Sequence, residues 1–194
     1  MYSALARTVD ATSEPVTTTE AKTHLRVTHS DDDTYIDALV KAARIAAENF
    51  CDRAFINQTW LATFETTDSE RLRLPRAPLV SVTSVKYRDT TDGTLQTASS
   101  STYEVNTYAL PGQIKFDTVP DYDSSYENPI QVTYVAGYGA AASSVPSPII
   151  HAIKLLVGHF YQHRSDVVNV LEIKPEQLPN GVKFLLAPYR FYYS

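Results

Sequence analysis

The stretch that most restricts how this chain can fold is Ser147–Arg164, SPIIHAIKLLVGHFYQHR. Ser147 can cap free backbone N–H groups, and Pro148 suits a first helical position, where no N–H is needed. Ile149, Ala152, Ile153, Leu156, Val157 and Phe160 recur at helical spacing. Ile150 and Leu155 fall off that stripe, so the helix is apolar on more than one side. A helix of that kind sits at the centre of a core or packs against another subunit. At about 1.5 Å per residue it is short for a membrane span, and His151 and Lys154 interrupt it.

Two more helices precede it. Thr17-Thr18-Thr19-Glu20 reads as a Thr cap with an acidic first turn, followed by an inner side of Ala21, His24 and Leu25. Ser30 with Asp33 three residues later predicts a second capping box. Ile36, Leu39, Val40, Ala43, Ala47 and Phe50 then follow a helical stripe. The Asp31-Asp32-Asp33 run lacks the alternating oxygen ligands, Gly and distal Glu of a calcium loop, so it reads as helix-capping charge.

After Phe55 the period changes to two. Segments 58–64, 80–87, 94–96, 103–105, 113–116 and 130–135 read as short antiparallel strands, with turns at Asp92-Gly93 and Pro111-Gly112. Residues 72–78 read as a Pro-punctuated extended link. Val182–Ala187 makes a last short helix, stopped by Pro188. The expected fold class is α+β. A small helical bundle, with helices near 17–26, 31–53, 147–164 and 180–187, is interrupted by an antiparallel β insertion. Residues 1–16 form an extended or disordered arm, 17–56 plus 140–194 the helical core, and 57–139 the inserted β subdomain.

Little in the sequence supports catalysis. The lone Cys51 reads as a core thiol and leaves no cysteine-based zinc site. His159 and His163 share a helix face at i, i+4, but HFYQH has no Glu to act as a base. Serines lack a G-x-S-x-G elbow, and Gly137-Tyr138-Gly139 is not a phosphate-binding fingerprint. The expectation is no enzyme, with no catalytic, metal-binding or cofactor-binding residues and no cofactor. A net charge of −5 argues against tight, sequence-independent nucleic-acid binding. The N-terminal segment has no secretory apolar region, which predicts a protein made in the cytosol.

Several motifs resemble those of tailed-bacteriophage head–tail connector (adaptor) proteins, in the longer branch carrying a β insertion. Glu14-Pro15-Val16-Thr17, Glu20-Ala21-Lys22 and His24-Leu25-Arg26-Val27 are similar to that family's opening. Thr59-Trp60, Leu74–Leu79, Val82 and Pro129–Gly137 resemble its middle, and Leu185-Leu186-Ala187-Pro188-Tyr189-Arg190 its close. Thr18 departs from it, where Leu is commoner. The resemblance implies a structural virion protein at the neck, present in the host cytoplasm during assembly. It would form a homo-oligomeric ring, dodecameric in the virion, and dock under the portal protein. It would extend the DNA channel and receive a downstream head-closure or tail protein. Genomic DNA would pass through without sequence-specific binding, and no membrane would be involved. Ile150, Leu155 and His159 are the expected subunit contacts. Tyr189, Arg190, Phe191, Tyr192 and Tyr193 are expected to dock on a partner. The alternatives are another neck component, of head-closure or tail-completion type, or a non-enzymatic β-rich binding module.

Overall fold

A computed structural model describes residues 2–66, 71–164 and 178–191. The described residues make a mixed α+β fold, with four α-helices and two antiparallel sheets. It divides into two units, one of residues 13–52 and 141–194 and the other of residues 1–12 and 53–140.

The first unit is helical: α1 (Thr18–Leu25), α2 (Asp33–Cys51), α3 (Ser147–Gln162) and α4 (Asn180–Leu186). α1 begins as its sequence predicts. The Thr17 hydroxyl accepts from the Glu20 N–H, and the Glu20 carboxylate accepts from the Thr17 N–H at 2.9 Å. The capping expectations for α2 and α3 are corrected. Asp32, not Ser30, takes the cap position of α2 and makes no side-chain capping bond. The α2 carboxylates are drawn into tertiary pairs instead, Asp32 with Tyr161 and Arg164 and Asp33 with Lys22. In α3, Ser147 is already helical and Pro146 holds the cap position. Ile36, Val40, Ala43 and Ala47 of α2 are buried, as are Ile149, Ala152, Ile153, Leu156 and Val157 of α3 and Val182 and Leu186 of α4. α3 packs against α1, α2 and α4, which accounts for its broad apolar girth. No helix among the described residues is long and apolar enough to cross a membrane.

The second unit is a pair of sheets. Its strands are β1 (Ala4–Val9), β2 (Gln58–Phe64), β3 (Arg71–Leu74), β4 (Leu79–Arg88), β5 (Leu95–Thr97), β6 (Tyr103–Asn106), β7 (Gly112–Phe116) and β8 (Ile130–Ala136). One sheet has the order β1-β2-β8-β4-β5 and the other β3-β7-β6. Alternate residues of both sheets feed one apolar cluster, including Ala62, Phe64, Ile130, Val132 and Tyr134 from the first and Leu72, Leu74, Ile114 and Phe116 from the second. The buried Tyr134 hydroxyl donates to the Pro75 carbonyl at 2.9 Å, which satisfies its polar tip.

Two strands differ from the sequence reading. Residues 4–9, expected in an extended or disordered arm, form edge strand β1 along β2, pairing Ala4 with Thr63 and Arg7 with Trp60. Only Leu5 among them is less than exposed, so no apolar alternation announces the strand. Residues 71–74, expected in a link, form β3, with Leu72 opposite Ile114. Register shifts between Leu79 and Ser81 and between Val82 and Ser84 bend β4 along β8.

Candidate functional site

The candidate site is the protein's surface and the side chains that hold that surface in place. In the helical unit the hold begins at Glu14. The Arg44 side chain is fully buried. Its Nε and Nη2 donate to the two Glu14 carboxylate oxygens at 2.7 and 3.1 Å, and its Nη1 donates to Glu48 at 2.8 Å. The fork geometry is one that arginine provides and lysine does not. The segment before α1 is thereby tied to the middle of α2.

The exit of α3 is held by a second cluster. The Tyr161 hydroxyl and an Arg164 Nη2 (2.9 Å) both donate to Asp32 Oδ2. The Arg164 guanidinium lies 4.8 Å from the Tyr35 ring centre and 4.6 Å from that of Tyr161. The Tyr161 hydrogen bond, then the Arg164 contact, hold the Asp32 carboxyl below its ordinary range.

Of the predicted subunit contacts, Ile150 and Leu155 are half-buried and His159 is exposed. Leu155 Cδ1 lies 4.0 Å from where a Cβ on Gly181 would stand, so part of its surface serves α4 of the same chain. The His159 ring is 4.6 Å from that of His163, centre to centre. Partial desolvation, then the neighbouring His163 charge, lower the His159 pKa. His163 Nδ1 sits 2.9 Å from the His159 carbonyl. Among the described residues no third His, Cys, Asp or Glu joins them in a metal-binding group.

Of the predicted docking residues, Tyr189 is half-buried and Arg190 exposed. Arg190 stacks 4.9 Å above the Phe50 ring, and the Phe191 N–H donates to the Cys51 carbonyl at 2.9 Å. These residues therefore begin against the end of α2, while Tyr192 and Tyr193 lie outside the described residues. Sequence reading missed Phe184, which is 81% exposed on α4. The signal was present: Val182 and Leu186 share the inner face at i, i+4, and a residue midway between them must point away.

The β unit has a shaped face of its own. On the three-stranded sheet, Leu72, Leu74, Ile114 and Phe116 point inward. The intervening residues form the other face, with Arg71, Lys115 and Glu104 in one cross-strand row and Arg73, Gln113 and Asn106 in the next. Tyr108, 96% exposed on the loop joining β6 to β7, rims a concavity of about 380 Å³ over this face. Elsewhere in the same unit, segments 88–94 and 122–129 are joined by hydrogen bonds from the Asp123 N–H to the Arg88 carbonyl and from the Arg88 N–H to the Pro129 carbonyl, each 2.9 Å. They carry Asp89, Asp92, Asp123 and Glu127, with Asp121 adjoining. Hydrogen bonds from Thr94 and Ser125 keep the Asp92 and Asp123 carboxyls below their ordinary range.

Comparison with known proteins gives a consistent result. A family model described as "Head completion protein" matches residues 14–192. A chain from the neck of an empty gene transfer agent particle, computed with C6 symmetry, is 20% identical and superposes with a TM-score of 0.81, covering 98% of this chain and 97% of that one. A chain from the neck of the native particle, computed with C12 symmetry, is also 20% identical, with a TM-score of 0.78 over 98% and 97% of the two chains. A chain of the native virion gives 0.78 over 98% and 96%, again at 20% identity. No curated protein matches the chain.

Proposed function

Because the chain belongs to the head completion protein family, we propose that it is a ring-forming head–tail adaptor in the neck of a phage-like particle. Its work is structural and not enzymatic. It docks under the portal, extends the DNA channel and receives the next tail-side protein. The observation that carries this reading is the end-to-end match to chains of a particle neck, both sheets included, in necks computed with C6 and C12 symmetry. In this reading the exposed parts of Ile150, Leu155 and His159 on α3 face a neighbouring subunit, and residues 189–193 contribute to portal docking. The negative net charge suits a channel through which DNA slides without sticking.

The test is solution mass by light scattering, first of the purified chain and then of the chain with its cognate portal. A ring-sized species alone, or a monomer that joins the portal on mixing, is the expected result. A monomer indifferent to the portal would overturn the adaptor reading.

A further inference from the structure

We propose that His159 and His163 form an open two-histidine chelate for a late first-row divalent ion such as Zn2+ or Ni2+, and that the bound ion clips the last turn of α3. His159 lies in that turn and His163 caps the helix, with both side chains exposed. A spacing of four residues sets two imidazoles on one helix face, where they can grip a single ion. Their ring centres are 4.6 Å apart. Two imidazoles on one tetrahedral ion, with bonds of about 2.0–2.1 Å, hold their centres about 5 Å apart. The pair is therefore a small side-chain adjustment from the chelating arrangement.

His163 is also oriented as a ligand. Its Nδ1 lies 2.9 Å from the His159 carbonyl, which only accepts, so Nδ1 carries the proton and donates. In the neutral ring Nε2 then holds the free lone pair. An imidazole N–H held by a backbone carbonyl is the usual support behind a metal-bound histidine. Partial desolvation of His159 favours its neutral, ligating form. Imidazole suits Zn2+, Ni2+ and Cu2+, whereas Mg2+ and Ca2+ take oxygen ligands. With two protein ligands, water fills the remaining positions. The HFYQH stretch has no Glu to act as a base, but an ion that only ties side chains together needs none. His163 adjoins Arg164, whose guanidinium meets Asp32. An ion here would therefore fix the exit of α3 beside the start of α2. Nothing in this site depends on the ring reading.

The test is calorimetric titration of Ni2+, and separately of Mg2+, into the untagged full-length chain near neutral pH. One Ni2+ per chain is expected, and no Mg2+. His159→Gln and His163→Gln should each weaken Ni2+ binding at least about tenfold. His24→Gln/His151→Gln, which removes the other ring pair, with centres 6.4 Å apart, should leave it unchanged. Excess Ni2+ should raise the melting temperature of the wild-type chain, because the helix sets the spacing only when folded, and should not raise that of His159→Gln/His163→Gln. Both rings are exposed, so without metal the variants should melt like the wild type. Should a variant fail to fold, Zn2+-induced NMR shifts of two of the five wild-type imidazoles, assigned to His159 and His163, decide the matter. Absence of Ni2+ binding would overturn the proposal. So would binding that survives the double substitution at 159 and 163, or binding lost with His24 and His151 instead.

Discussion

At the scale of single residues, Arg44 carries the clearest consequence. Replacing it with Met removes the guanidinium that pairs with both Glu14 and the buried Glu48. Breaking a buried ion cluster from one side costs about 3–5 kcal/mol. Urea denaturation of Arg44→Met should show a loss of that order, while replacing all three charged groups by apolar ones should recover much of it. Gly137 is a backbone case. Its φ is +150°, and a Cβ there would stand 2.6 Å from the Asn57 nitrogen. Gly137→Ala should cost about 2 kcal/mol or more, and a change within about 0.5 kcal/mol would refute that account. Acid sensitivity belongs to Glu20 and Asp32. The Thr17 hydrogen bonds depress the first, and Tyr161 followed by Arg164 depress the second. Both are held as carboxylates in the fold more firmly than in the unfolded chain. Their stabilising contribution is therefore complete above the unfolded values, near pH 4, and is lost as pH falls through the lower folded values. Melting temperatures between pH 3 and pH 7 should show this loss, and Glu20→Gln/Asp32→Asn should flatten it.

At the scale of elements, α3 invites an unusual substitution. Gly158 lies within the helix, and a Cβ on it would meet His24 Nε2 at 3.6 Å, an ordinary contact. Gly158→Ala should therefore stabilise the chain by about 0.5–1 kcal/mol, as read from the denaturation midpoint. A loss of stability would mean that α1 cannot accommodate the methyl group. The long helices were legible from sequence because burial imposes a 3.6-residue period on many successive residues. β1 was not, since an edge strand with mostly exposed side chains is specified by its partner, and Arg7 carries no mark of Trp60. β3 alternates as Arg-Leu-Arg-Leu, but Pro75 and Pro78 concealed so short a run. The cap of α2 was misplaced because Asp32 is drawn to Tyr161 and Arg164, far along the chain.

At the scale of the whole molecule, the adaptor reading predicts that removing residues 189–194 abolishes docking to the portal. Because Phe191 and Arg190 also contact the end of α2, the truncated chain must be melted in parallel. A truncation that melts like the full chain and still docks would refute the role given to this segment. Phe184→Ser should leave the melting temperature nearly unchanged, since the ring is exposed. Any loss of ring or partner binding by that variant would then mark α4 as a contact surface.

The membership of β1 in the sheet unit has an evolutionary consequence. Residues 2–12 lie ahead of the first helix, yet they belong with strands that begin after residue 53. The β region is therefore not a cassette that one recombination event could lift out or drop in. Excising residues 53–140 would strand a six-residue strand without β2 and uncover Leu5. A lineage that gained or shed these sheets had to remodel its leading segment in step, so shorter relatives built from the helices alone should differ in two separate places along the chain.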